Sequence, residues 1–321
     1  MRKKLALLAV PLLLAAACGG SDDGGGSSAG GGSGDLEPVA VGLIPIVDVA
    51  PIYLGDQQGF FEEQGIDLEL ETAQGGAAVV PGVMNGQYQF GFSNVTSLLL
   101  AAEQGLPLQI VANGVASTGE EGADFGAVVA GAESGITGAA DLAGKRVAVN
   151  TLNNIGTTTI NESIRAAGGD PSGVQYVELP FPDMPAALDA GNVDAIWVVE
   201  PFLTIATNGG ATFVASNYVD AADDLTVATY FTSKQFAAEN GDVVDRFTTA
   251  LEQSLEYASQ NEAETRAVLS EYTEIDPAVI EAMTLPAWPT EINEESLQRL
   301  ADLAVDDGLL EEQPDLGGLL P

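Results

Sequence analysis

The chain has 321 residues, 46% of them apolar, and its 47 acidic residues against 10 basic ones give a formal charge of −37 at neutral pH. A polyanion of this size repels phosphate backbones, which excludes nucleic acid as a partner, and it reads as a solvated, self-repelling surface suited to salty or extracellular conditions. With no histidine and one cysteine there is no Ser-His-Asp triad, no histidine-ligated metal and no internal disulfide, so neither metal nor cofactor is expected.

The first 18 residues place Arg2, Lys3 and Lys4 before an apolar run from Leu5 to Leu14 and three alanines, Ala15 to Ala17, ahead of Cys18. That is the layout of a secretory signal, too short to span a membrane as a helix. The end of it resembles a bacterial lipobox, with Ala15 where such boxes usually carry Leu. The resemblance implies a signal peptide over 1–17, cleavage before Cys18 and diacylglyceryl transfer to its sulfur. Two acyl chains anchor stably where one does not. The Gly/Ser-rich stretch within 18–37 cannot build a core and acts as a tether of about 20 to 25 Å. The chain is thus expected outside the cell, held by lipid on the outer face of the cytoplasmic membrane. No later apolar run approaches the ~20 residues of a membrane span.

From Val39 onward short β-type runs alternate with helical stretches: strands at Val39–Ile44, Ile66–Glu71, Phe90–Phe92 and Leu108–Ala112, helices at Pro51–Gln64, Ala77–Asn85 and Thr96–Gln104. This is the βα rhythm of a mainly parallel sheet. A Gly-, Ser- and Glu-containing loop at Ala116–Asp124 interrupts it. The rhythm restarts with strands at Ala127–Ala130, Arg146–Asn150, Val174–Glu178 and Ala195–Val199, and helices at Gly156–Ala167 and Asp183–Ala190. After a run at Thr226–Thr232 the rest is helical, with apolar spacing in Val244, Phe247, Leu251 and Leu255 and again in Leu297, Leu300 and Leu303. The Pro/Gly-rich end, Pro314–Pro321, reads as a loosely held tail.

Four segments in this order carry a family resemblance: PIYLGDQQGFFEEQGIDLEL (Pro51–Leu70), NGQYQFGFSNVTSLLLA (Asn85–Ala101), DLAGKRVAV (Asp141–Val149) and AALDAGNVDAIWVVEPF (Ala186–Phe202). The chain resembles the solute-binding proteins of the nitrate, sulfonate, taurine and thiamine-precursor transport group over about Val39 to Asp307. The resemblance implies an α/β, two-lobed type II periplasmic-binding fold with two crossover segments and a ligand cleft between the lobes. Lobe one is expected over 38–122 plus 226–321 and lobe two over 123–225, with crossovers near Glu120–Phe125 and Ala221–Leu225. It further implies a monomer that captures a small molecule by hinge closure and passes it to an ABC permease, without catalysis.

Ligands of open α/β sheets sit beyond the carboxyl ends of the strands, where helix N-termini offer free N–H groups, so the loops at those ends hold the candidate site. Asp48 lies just ahead of the helix beginning at Pro51, and serves either as a helix N-cap or as a ligand contact. Ser93, Asn94 and Thr96 precede another helix; one of them caps it and the others face the cleft. Asn153, Asn154, Thr157 and Thr158 open a lobe-two helix with more polar groups than capping requires. Asp183 and Glu200 follow two lobe-two strands, and the family resemblance puts Glu200 at the cleft or its mouth; the other reading has Glu200 merely precede Pro201 at a helix start. Trp197 reads as core, and the Gly-rich Gln74–Ala77 is a further candidate loop.

The seven cations beyond the signal, Lys145, Arg146, Arg165, Lys234, Arg246, Arg266 and Arg299, all fall outside these loops. The guanidinium clamp expected of a sulfonate or nitrate binder is therefore missing, and Asp48, Asp183 and Glu200 point to a neutral or cationic ligand such as an aromatic heterocycle. Two other classes remain. The fold also hosts a pyrimidine-precursor synthase that consumes its own histidine and a dehydratase; the absence of histidine opposes the first and export opposes both. A ligand-sensing accessory protein that reports to a receptor is the third reading.

Overall fold

The computed structural model describes residues 36–321; the signal and Cys18 readings lie outside them, as does the tether reading except for its last two residues, of which Glu37 opens the first strand. The chain runs β1 (Glu37–Leu43), α1 (Ala50–Gln57), α2 (Phe60–Glu63), β2 (Ile66–Thr72), α3 (Gly76–Met84), β3 (Phe90–Asn94), α4 (Val95–Glu103) and β4 (Leu108–Ala116). It continues through β5 (Gly126–Ala130), β6 (Arg146–Val149), α5 (Ile155–Ala166), β7 (Gln175–Glu178), α6 (Met184–Asp189), β8 (Ala195–Val199), α7 (Phe202–Asn208), β9 (Thr212–Ala215) and α8 (Asn217–Ala221). It ends with β10 (Thr226–Ser233), α9 (Lys234–Glu239), α10 (Gly241–Gln260), α11 (Glu262–Tyr272), α12 (Pro277–Ala282) and α13 (Glu294–Asp306).

Two five-stranded sheets result, ordered β2-β1-β3-β10-β4 and β7-β6-β8-β5-β9. The central strands are apolar and buried along most of their length, as strands covered on both faces must be. Neither sheet is mainly parallel. The βα rhythm does give parallel pairs, β1 with β2 and β3, and β6 with β7 and β8. However, β5 and β10, the first strand after each passage between sheets, insert antiparallel to both of their neighbours. The passages run over 117–125 and, with α8 inside it, over 216–225. A strand that enters from the opposite lobe has no preceding helix in its new sheet to set its direction, which is why the rhythm alone does not give its sense.

Local sequence explains most boundaries. The helical stretch read over Pro51–Gln64 breaks in two at Gly59, whose φ of 80° an L side chain rarely adopts. Helix α10 buries Val243, Phe247, Leu251 and Leu255, so Val243, not Val244, begins its inward stripe. In α13, Leu297, Leu300 and Leu303 are buried as their spacing requires. The carboxyl end is no loose tail: Leu319 is buried, and its carbonyl accepts from Ile110 N–H of β4 at 2.8 Å. One well-placed leucine is enough to dock a Pro/Gly-rich segment that composition alone marks as irregular.

Candidate ligand-binding site

Strand ends from both sheets meet around a small cavity. The first sheet contributes Ile44, Ile46 and Asp48 after β1, Phe92 and Asn94 of β3, and Val227 and Ala228 of β10. The second contributes Asn150 after β6, Asn154 and Ile155 at the start of α5, Phe181, Trp197 and Val199 of β8, and Tyr218 of α8. The cavity measures about 20 Å³, room for roughly one water, so the two lobes are closed on each other.

Asp48 is fixed by its backbone. Its carbonyl accepts from the indole N–H of Trp288 at 3.1 Å, the preceding Val47 N–H donates to the Glu200 carbonyl at 3.3 Å, and Tyr272 Oη donates to the Ile46 carbonyl at 2.9 Å. The N-cap position of α1 belongs to Val49, and no side chain caps that helix; Pro51 in its first turn lacks an N–H that would need one. The N-cap reading of Asp48 therefore fails. Its side chain is 3% exposed and Oδ1 has no hydrogen-bond partner. Burial pushes its pKa up to about 7, with the nearby Asp124 adding to the rise and its own backbone N–H opposing it.

Asn94 caps α4, accepting from Ser97 N–H and donating to Ser97 Oγ, both at 3.0 Å, while still lining the cavity. Ser93 and Thr96 are buried but stand off the cavity: Ser93 packs against the start of α3, where a Cβ on Gly76 would lie 2.4 Å from its hydroxyl, and Thr96 Oγ1 has no partner.

The polar opening of α5 is consumed by the helix itself. Asn154 Oδ1 accepts from Gly156 N–H at 3.0 Å, Thr157 Oγ1 accepts from Asn154 N–H at 3.1 Å, and Thr158 Oγ1 donates to the Asn154 carbonyl at 3.1 Å. The surplus of polar groups is thus a fuller capping box, and only Asn154 also reaches the cavity. Asn153, exposed and at φ 54°, borders with Thr157 a separate crevice of about 330 Å³. Asp183 is exposed at the start of α6 and makes no capping bond.

Glu200 does not line the cavity. It is 2% exposed, and its carboxylate accepts from Thr204 N–H at 3.0 Å, Thr204 Oγ1 at 2.8 Å and Thr284 N–H at 3.2 Å. Burial raises its pKa, opposed by those bonds and by Arg266. The helix-start reading accounts for it, with the added role of tying lobe two to the segment around Thr284.

Sequence reasoning passed over most of the cavity wall, because Phe92, Val199, Val227 and Ala228 look like any strand residues and α8, which supplies Tyr218, was not read at all. Trp197 is buried as a core residue would be, at 2% exposure, yet it lines the cavity and its indole N–H has no partner. The signal was available: a buried Trp N–H usually needs an acceptor. Its ring lies against α5, where only a glycine fits; a Cβ on Gly156 would meet it at 2.5 Å.

Among the described residues no lysine or arginine borders the cavity. Arg165 pairs with Asp307 and Glu162, Arg299 with Glu162, Arg146 with Asp194, Arg246 with Glu37 and Arg266 with Glu262. Among the described residues no group of three or more Cys, Asp or Glu side chains is placed to hold a metal ion.

Comparison with known proteins agrees with this architecture. The chain is 28% identical over 192 residues to the taurine-binding periplasmic protein of Escherichia coli (strain K12); the match covers 59% of this chain and 56% of that protein, little more than half its length. Among solved structures it is similar to the alkanesulfonate-binding protein SsuA from Xanthomonas axonopodis pv. citri bound to MOPS, with a TM-score of 0.74, 18% identity and 90% and 99% of the two chains covered. It is also similar to the periplasmic nitrate-binding protein NrtA from Synechocystis PCC 6803, with a TM-score of 0.77, 14% identity and 89% and 86% covered. These likenesses give the periplasmic-binding-protein fold, and with residues 46–265 matching its pattern the chain belongs to the family described as NMT1/THI5 like.

Proposed function

We propose that this protein is an extracytoplasmic solute-binding protein that captures a small neutral or cationic molecule by closing its two lobes and delivers it to an ABC importer. The cavity carries the reading. Each lobe brings one deeply buried polar atom without a partner, Asp48 Oδ1 and Trp197 Nε1, to the same small space. Leaving such atoms unpaired is costly, and a ligand that bonds to both lowers the energy of the closed form alone. Asp48, Asn94 and Asn154 are the ligand contacts of the sequence reading that this view keeps. The moving bodies are 38–122 plus 226–321 and 123–225, hinged at the two passages. No covalent step is required, and the protein acts as a monomeric binder, not an enzyme.

Cys18 carries the lipid that holds the chain on the outer face of the cytoplasmic membrane, and the tether keeps it close to its permease, raising the effective concentration there. Thermal-shift screening of the purified protein tests the capture step, because a ligand that binds only the folded state raises the melting temperature. A single class of solutes giving a concentration-dependent rise supports it; turnover of the bound solute replaces it with an enzyme. Cys18→Ser is expected to release the protein from the membrane fraction, and retention there removes the anchor reading.

A further inference from the structure

The side chains around the cavity define more of the ligand than its charge class. Asp48 offers an acceptor from lobe one and Trp197 a donor from lobe two, both buried and both without a partner. Four aromatic residues, Phe92, Phe181, Trp197 and Tyr218, line the same cavity, with the Phe181 and Trp197 centroids 5.5 Å apart and those of Trp197 and Tyr218 at 6.1 Å. Aromatic faces beside a carboxylate, with no competing lysine or arginine, attract a cation and repel an anion. The other ionisable groups close enough to interact with Asp48 are Asp124 from the first passage, which pushes its pKa up, and the phenols of Tyr218 on α8, Tyr230 on β10 and Tyr272 on α11, whose pKa values Asp48 helps to raise. Each is an acid or a neutral group.

We propose that the ligand is a compact organic cation with an N–H donor that meets Asp48 and a hydrogen-bond acceptor that meets Trp197 Nε1–H. The inference rests on the solute-capture reading. The ligand must carry both groups because a ligand satisfying only one of the two orphan atoms leaves the other buried and unpaired. The space in this form holds roughly one water, so the lobes close less far on a ligand than they do here, and a compact ligand needs the smallest adjustment. A sulfonate or nitrate finds no guanidinium in this position, and above pH 7 it faces the buried Asp48 carboxylate.

The test is isothermal calorimetry on the purified protein with four sets of probes of matched size: primary amines and amidines with and without an acceptor edge, their uncharged isosteres, the zwitterion taurine, and the anions ethanesulfonate and nitrate. The expected result is binding of cations that carry an acceptor. Asp48→Asn is expected to weaken it roughly 100-fold and Trp197→Phe roughly 10-fold, the loss of a charge-assisted and of a neutral buried hydrogen bond. Glu252→Gln, an exposed change on α10, is the control and leaves affinity within error. Binding confined to ethanesulfonate or nitrate, or cation binding that Asp48→Asn leaves intact, overturns this inference while solute capture stands. A protein that binds none of these probes and no other small solute in a thermal-shift screen overturns both.

Discussion

Asp48 and Glu200 are both nearly buried acids at the seam between the lobes, and a backbone hydrogen bond from Val47 N–H to the Glu200 carbonyl joins their loops. They differ in what their carboxylates do. Glu200 accepts three hydrogen bonds and fastens Thr204 and Thr284, whereas Asp48 keeps one oxygen with no partner and faces the cavity. Burial alone does not distinguish an acid satisfied inside the fold from one left open to a cavity. The count of partners does, because a carboxylate satisfied inside the fold has little left to offer a ligand, while an unsatisfied one lowers stability until something binds it.

The largest effect should come from removing the unsatisfied charge. The pKa of Asp48 rises from 3.8 to about 7 on folding, so between those values the folded chain holds a proton that the unfolded chain has lost. Stability then falls as pH climbs from about 4 to 7, and the full cost, on the order of 4 kcal/mol, is present only above pH 7. Asp124 and Glu200 are also pushed up by burial, but they are common to wild type and variant. Asp48→Asn is therefore expected to match wild type in urea unfolding at pH 4 and to exceed it at pH 8. A variant no more stable at pH 8 would place a hidden partner on Asp48. The same ionisation governs binding: cation affinity should rise with pH up to about 7 and level off above it, since below that value the ligand must displace a proton.

Glu200→Ala should act in the opposite sense. It strands the buried Thr204 N–H and the half-buried Thr284 N–H, with an expected loss of about 2 to 3 kcal/mol in the same urea experiment. Ligand affinity corrected for the folded fraction should change little. A loss of affinity far beyond the loss of stability would return Glu200 to the binding site.

The two-lobed arrangement was legible in the chain because its signals are local: apolar runs for buried strands, the Gly59 turn, and the leucine spacing of α13. The direction of β5 and β10 was not, since it is set by which sheet the strand enters. Of the residues singled out in the loops at strand ends, Asp48, Asn94 and Asn154 border the cavity, whereas Thr157, Thr158 and Glu200 have polar atoms that are used by the helices they begin. Residue type and position cannot tell a polar group that the fold will satisfy from one that it leaves open. That depends on partners distant in sequence, such as Thr284, which lies 84 residues from Glu200.

The smallest effect sharpens the same contrast at the start of α5. Thr157 both accepts from Asn154 N–H and donates to the Asn154 carbonyl, so its hydroxyl is fully used within the first turn. Thr157→Ala removes half of the capping box and should cost about 1 kcal/mol, read as a small fall in the urea midpoint with an unchanged slope. Cation affinity should hold, because Thr157 does not border the cavity and Asn154 keeps its bonds to Gly156 N–H and to Asn150. Trp197→Phe is its mirror image: it removes a buried N–H that has no partner in the fold, so folding loses no hydrogen bond and the cost should fall on binding. If Thr157→Ala weakened binding as much as Trp197→Phe, partner counts would not separate structural from ligand-facing groups here, and the start of α5 would have to move when the lobes close.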